Sequence, residues 1–344
     1  MKGRAVILDE INGQQAAALL EDGMLVELAI DPATDVPMPG AIYRAVADRP
    51  MKGQGGIFVK LPQGSGFLRQ ISGIAPGQRL LVQVTGPAED GKATPVTARL
   101  LFKSRFSIIT PDAPGLNISR RIKDEDLRAE LQDIATAQMK GADEALGLIL
   151  RSACLDAEPD AVAEDIAAMR GLAEAVLTDL DGAPELLVDG AGAHETAFRD
   201  WLDPAPDAVE TDEGSFEAHG VLELLDALRR PRVPIGEGHM MIEPTRALVA
   251  VDVNTGADTS PAAALKVNIA AARDLPRQLR LRGLGGQVVV DFAPMPKRDR
   301  AILDQVIRAA FKTEGEVNLA GWTTLGLYEL TRKRDRLPLS QVLA

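Results

Sequence analysis

Two stretches of this chain are almost wholly aliphatic, and each stops on a carboxylate. Leu248-Val-Ala-Val runs into Asp252, and Val288-Val-Val runs into Asp291. The second is so apolar that it reads as a central strand, covered on both faces. Between them, residues 261–281 carry a helical pattern that continues through Pro276, and residues 299–310 carry another. His239-Met-Met-Ile-Glu supplies a strand before them, with a turn at Pro244, and residues 325–331 supply one after them. Strand, helix, strand, helix, strand describes an α/β layer at the C-terminal end. A carboxylate in an apolar strand is costly unless it is paired or bound to metal. If the two strands are neighbours, Asp252 and Asp291 reach one strand-end crevice. Asn254, two residues beyond Asp252, points to the same face. Two carboxylates and an amide oxygen form a hard donor set of the kind that holds magnesium against a phosphate. The plainer alternative is that each aspartate caps a strand end or the turn after it.

The rest of the chain reads as separate modules, as 344 residues allow. Residues 3–36 read as two strands around a short turn region. Residues 40–108 hold short apolar runs between glycine-bearing turns, such as Gly56-Ile-Phe-Val-Lys and Arg79-Leu-Leu-Val-Gln-Val, spaced as in a small β-barrel. Phe58 and Phe67 are either core residues or a face on which bases stack, at ~1–3 kcal/mol each. Ala145-Leu-Gly-Leu-Ile-Leu is a buried-strand candidate that ends at Arg151 and Ser152. Residues 160–180 read as an alanine-rich amphipathic helix. Residues 186–236 read as a weak strand, a solvated loop and a short helix.

Charge decides which partners are plausible. The formal net charge is -12, the wrong sign for a nucleic-acid binder. It is unevenly spread: residues 151–220 hold 18 acidic side chains against 3 basic, whereas residues 221–344 hold 14 against 18. The basic residues of the C-terminal part come in three runs: Arg273, Arg277 and Arg280; Lys297, Arg298 and Arg300; and Arg332, Lys333, Arg334 and Arg336. Converging on two carboxylates, they would make a phosphate-binding site. The single cysteine, Cys154, forms no internal disulfide and no zinc cluster. A reducing compartment, the cytoplasm, is the simplest fit. No segment reaches the ~20 apolar residues that cross a bilayer, and the N-terminus has no signal-peptide core.

The motifs resemble the ribonuclease E/G family. The resemblance is carried by Val251-Asp-Val-Asn-Thr-Gly, Ala264-Leu-Lys-Val-Asn-Ile-Ala-Ala-Ala and Arg277-Gln-Leu-Arg-Leu-Arg-Gly-Leu-Gly-Gly-Gln-Val-Val-Val-Asp-Phe. Leu325-Gly-Leu-Tyr-Glu-Leu-Thr-Arg-Lys-Arg and Asn117-Ile-Ser-Arg-Arg-Ile add to it. It implies a multi-domain α/β and α+β chain. An RNase H-like unit (residues 1–38 and 185–234) is interrupted by an S1-type barrel (39–108) and a 5′-sensor region (109–184). A DNase I-like catalytic domain (235–344) follows. It further implies Asp252 and Asp291 as magnesium ligands and Asn254 as their catalytic neighbour. Phe58, Phe67 and Lys92 become RNA contacts of the barrel; the charge of the run Arg332, Lys333 and Arg334, after the last strand, adds those residues to the candidate RNA contacts. Arg151 and Ser152 become the seat of a 5′-monophosphate, with serine standing where the family has threonine. Two positions depart from the family pattern: Pro294 and Arg246 each replace an acidic residue. The family's Cys-Pro-x-Cys zinc link is missing as well, which leaves a homodimer open and removes the basis for a zinc-linked tetramer.

The expectation is a magnesium-dependent endoribonuclease that cuts single-stranded RNA during processing or decay and leaves a 5′-phosphate. Pro294 and Arg246 motivate an alternative, a non-catalytic RNA-binding protein of ribosomal RNA maturation. A metal enzyme acting on a small phosphorylated substrate is a third reading.

Overall fold

The computed structural model describes residues 2–33, 36–51, 55–69, 73–89 and 91–343. The chain divides into two compact units, one of residues 3–17 with 29–210, the other of residues 18–28 with 211–344.

Where two strands were expected at the N-terminus there are three: β1 (Arg4–Ile11), β2 (Gln14–Glu21) and β3 (Met24–Ile30). Asn12-Gly13 and Asp22-Gly23 join them, with φ of 54° and 77°, then 50° and 79°. Paired left-handed residues make a type I′ turn, whose twist matches that of the flanking strands. These turns make an extended strand of Gln14-Gln-Ala-Ala-Ala-Leu-Leu-Glu, a segment with little strand propensity of its own.

The β module is a closed barrel. β4 (Ile42–Met51), β5 (Gly56–Leu61), β6 (Gly64–Arg69), β7 (Arg79–Val84) and β8 (Thr94–Thr97) run in the order β4–β5–β6–β8–β7, and β7 pairs back onto β4. Closure leaves no open sheet edge. Ala45, Val59, Leu68, Val82 and Val96 fill the interior.

A second sheet follows, in the order β11 (Gly115–Ile118), β12 (Gly147–Leu150), β10 (Ser107–Thr110), β9 (Phe102–Lys103). Helices α1 (Glu125–Gln138) and α2 (Pro159–Thr178) share one core with it, where Leu131, Val162 and Ile166 join Ile109, Leu148 and Leu150. The Asp124 side chain accepts from the Leu127 N–H at 3.0 Å and so caps α1. Strand β13 (Glu185–Val188) pairs with β4, and the sequence reading did not foresee α3 (Ala193–Asp200) or β14 (Ala208–Glu210), which pairs in parallel with β1.

In the other unit, α4 (Ser215–Ala218) and α5 (Val221–Arg229) lead into a six-stranded sheet. Its strands are β15 (Arg232–Ile235), β16 (Gly238–Pro244), β17 (Val249–Asn254), β18 (Gly286–Asp291), β19 (Val317–Trp322) and β20 (Tyr328–Arg332), in the order β15–β16–β17–β18–β20–β19. β17 and β18 are central and parallel, joined through α6 (Pro261–Leu281), which contains Pro276 as expected. Helix α7 (Arg300–Ala310) joins β18 to β19, and a short α8 (Leu339–Val342) closes the chain. Val249, Val251, Val253, Val288, Val290 and Phe292 share a core with Val267, Ala271 and Leu275 of α6 and with Leu303 and Ile307 of α7. Strand alternation therefore turns Asp252, Asn254 and Asp291 to the opposite face. The last strand begins at Tyr328 and not at Leu325. A turn at residues 323–327, closed by Thr323 N–H to Leu327 O at 2.8 Å, takes its first residues.

Candidate active site

The parallel pairing of β17 and β18 sets Asp252 directly beside Asp291. Strands in a sheet are ~4.8 Å apart, so the two carboxylates are immediate neighbours. Both are exposed. Asn254 Nδ2 donates to Asp252 Oδ2 at 2.8 Å, which orients that carboxylate and leaves its Oδ1 free to bind elsewhere. Among the described residues no cationic side chain pairs with either aspartate, and no group of three His, Cys, Asp or Glu is assembled. Two adjacent negative charges with no counter-charge repel each other, by roughly 1 kcal/mol even in water. A hard divalent cation between them relieves that repulsion, so the donor set fits one.

Local sequence explains why the strands end so closely. Gly238 and Gly256 lie where the β16–β17 pair closes. A Cβ on Gly238 would overlap the Asn254 carbonyl, and one on Gly256 (φ +81°) would overlap that of Glu237. His239 is registered opposite Asn254, a neighbour that sequence spacing alone did not bring to the site. Beyond Asp291 the chain is pinned by a fully buried asparagine of α6. Asn268 Nδ2 donates to Ala293 O, and Ala293 N–H donates to Asn268 Oδ1, both at 2.9 Å. Asn268 stands within the Ala264–Ala272 motif, yet spacing gave no sign of this role.

The first and third basic runs do not converge on the aspartates, because most of their arginines are engaged elsewhere. Arg277 pairs with Asp274 at 2.7 Å and donates to Leu25 O at 2.8 Å. Arg280 pairs with Glu27 and Glu314, and Arg336 with Glu27 at 2.8 Å. Arg332 is buried, donates to Leu284 O and pairs with Asp335 at 3.0 Å. Burial pushes the Glu314 carboxyl up, against the pull of Arg280 and Arg332. Arg332 is registered opposite Gly286, at the start of β18, about 17 Å along the strand from Asp291. These arginines fasten the fold. In the same run, Lys333 pairs with Glu316 at 2.8 Å, and Arg334 is exposed.

Arg151 and Ser152 emerge together at the end of β12, and both are already engaged. Arg151 Nη1 donates to the carbonyls of Arg105 and Arg199, and Nη2 donates to Asp200 at 2.6 Å. The Ser152 hydroxyl donates to Asp203 at 2.5 Å, and Arg121 bridges the two. Burial alone would raise the Asp200 carboxyl, but Lys103 at 2.8 Å and Arg199 more than cancel this and hold it at about 2. Burial in turn pulls the Lys103 ammonium down. A depressed carboxylate stabilises the fold above its ordinary value of 3.8 and loses that contribution as pH falls towards 2. Asp200→Asn is therefore expected to lose roughly 2 kcal/mol at pH 7, and much less at pH 2.5. Urea unfolding at the two pH values checks this.

In the barrel, Phe58 and Phe67 are cross-strand partners with ring centroids 5.2 Å apart, and Arg49 lies over Phe58 at 5.4 Å. Both rings are half-buried. Lys92 is exposed and pairs with Glu89 at 2.8 Å.

The model of the ribonuclease E/G family matches residues 102–215 and 206–335. Ribonuclease E of Nostoc sp. is 29% identical over 93% of this chain and 54% of its own length. Ribonuclease E of Synechocystis sp. is 28% identical over 93% of this chain and 56% of its own. Ribonuclease G of Escherichia coli is 26% identical over 95% and 79%. The chain thus spans about half the length of the two ribonuclease E relatives. No helix among the described residues is long and apolar enough to cross a membrane.

Proposed function

The chain belongs to the ribonuclease E/G family, and from that premise we propose that it is an endoribonuclease whose magnesium site is Asp252 and Asp291, assisted by Asn254. The observation that carries this reading is the side-by-side register of two exposed carboxylates, neither of which pairs with a cationic side chain among the described residues. Asp252 Oδ1 and the Asp291 carboxylate would hold the ion, while Asn254 keeps Asp252 turned towards it. Once bound, magnesium supplies Lewis acidity to a phosphoryl oxygen and favours ionisation of water. The side chains of β17 and β18 fix where the scissile phosphodiester lies. Gly238 and Gly256 let the β16–β17 ends close, since a Cβ at either would overlap a backbone carbonyl. In-line hydrolysis leaves a 5′-phosphate on the downstream fragment and a 3′-hydroxyl upstream.

The remaining modules take roles around that site. The barrel is an S1-type RNA-binding domain in which Phe58 and Phe67 stack on bases of single-stranded RNA and Lys92 meets the backbone. Lys333 and Arg334 serve outlying phosphates, while Arg332 holds their strand in place. Residues 109–184 form the 5′-sensor, with Arg151 and Ser152 as its phosphate seat. Asp200 and Asp203 already occupy those donors, so a 5′-phosphate must displace them and preference for it is weak. Residues 1–38 and 185–234 compose the RNase H-like unit, and residues 235–344 the DNase I-like catalytic domain. The cytoplasm, where RNA is processed, is the matching compartment.

The test uses an unstructured, internally labelled RNA. Discrete cuts are expected with magnesium and none with EDTA, and the downstream products should carry 5′-phosphates. RNA held without turnover would instead make the chain an RNA-binding protein, and the nuclease reading would fail.

A further inference from the structure

Resting on the reading of the chain as an RNA-cleaving enzyme, we propose that Arg300, set over the Trp322 ring, is a seat for a backbone phosphate of the RNA at the rim next to the two aspartates. Arg300 is the first residue of α7, and its guanidinium carbon lies 4.7 Å from the centroid of the Trp322 ring. Its Nη2 is close to Gly326: a Cβ there would come within 2.9 Å of it. Gly326 has φ +95°, which itself favours glycine. The guanidinium is thus set on an indole and hemmed by bare backbone, with little rotational freedom left to lose on binding.

What it lacks is an anion. Among the described residues no carboxylate pairs with Arg300. Arg277, Arg280, Arg308, Arg332 and Arg336 of the same unit are each paired with a carboxylate. A restrained guanidinium without a counter-charge is suited to a phosphate, which it can meet with two parallel N–H bonds. The indole beneath it favours the cation and leaves the outward edge available.

Position ties this seat to the reaction. Phe292 follows Asp291 directly, and its ring lies 5.8 Å from that of Trp322, which lies 5.3 Å from Tyr328. The aromatic cluster fixes Arg300 to the end of the sheet that carries Asp252 and Asp291. Arg300 is on the helix side of that rim, and the aspartates are on the opposite face. A strand of RNA crossing the rim passes from one to the other. Lys297 and Arg298, both exposed, precede α7, where Arg298 pairs with Asp299 at 3.7 Å. The contact is to phosphate, so it positions RNA without reading its sequence.

Binding is measured in the Asp291→Asn background, where RNA stays intact, with a 5′-hydroxyl oligonucleotide at a series of salt concentrations. Arg300→Ala should weaken binding about 10-fold. It should also reduce the slope of log affinity against log salt by about 0.7, the share of one phosphate on a single strand. Lys312→Ala removes an exposed charge just beyond the other end of α7 and should change neither. In otherwise unaltered protein, Arg300→Ala should raise KM while kcat stays within about twofold. RNA should also quench tryptophan emission, and Trp322→Phe should remove that response. If Arg300→Ala keeps the salt slope and affinity of Lys312→Ala, the phosphate seat is refuted even where cleavage is intact. A lowered melting temperature with an unchanged slope would likewise show Arg300 to be purely structural. If the unaltered protein neither binds nor cuts RNA, it is the nuclease reading that falls.

Discussion

Replacing Asp291 with asparagine is expected to lower RNA cleavage by about 1,000-fold or more, a loss of some 4 kcal/mol of transition-state stabilisation. The side chain keeps its shape and loses its charge. Asp291 is exposed at a strand end and has no ion pair to break. The melting temperature should therefore stay within a degree or two, with a stability change inside about 0.5 kcal/mol. Asp252→Asn should do the same. Because both carboxylates serve one ion, the double variant should be hardly worse than either single one. Single-turnover rates at saturating magnesium, read beside thermal melts, check all three. A strong loss of rate in a protein that no longer melts cooperatively would not support the site.

Asn268→Ala should be the most damaging single change to the fold near the site. Asn268 is fully buried, and it satisfies both backbone groups of Ala293. Truncation leaves a buried N–H and a buried C=O without partners, at ~1–3 kcal/mol each. The expected cost is about 3–4 kcal/mol, a large share of the ~5–15 kcal/mol that holds a typical domain. Ala293 lies two residues past Asp291, so what remains folded should also cleave more slowly. Urea unfolding gives the first quantity, and kcat of the folded fraction the second. A loss below 1 kcal/mol would show that the loop is held by other contacts.

The adjacency of the two aspartates was legible in the sequence, because each ends an aliphatic run that reads as a strand, and the parallel register of β17 and β18 sets them side by side. The cost of burying a carboxylate was not what placed them, since both are exposed. Helix α6 was legible through Pro276 because its apolar period continues on either side. The β2 strand carried a different signal, Asn12-Gly13 and Asp22-Gly23, which specify tight hairpin turns more firmly than the alanines between them oppose a strand. The basic runs were misleading for a physical reason. Charge along the chain does not say which guanidinium meets a carboxylate from a distant segment. Arg280 and Arg336 find Glu27 across more than two hundred residues. Arg300 looked like a member of a run in the sequence, and only the ring beneath it and the glycine beside it set it apart. Asn268 and Asp200 belong to the same class, since hydrogen bonds between remote segments leave no periodic trace.

The most direct measurement is a titration of the RNA-free protein with manganese, a spectroscopic stand-in for magnesium, followed by electron paramagnetic resonance. One ion should bind per chain, and either Asp252→Asn or Asp291→Asn should abolish it without unfolding the protein. Undiminished binding in both variants would mean that neighbouring strand ends do not share a cation, and the proposed chemistry would have no centre.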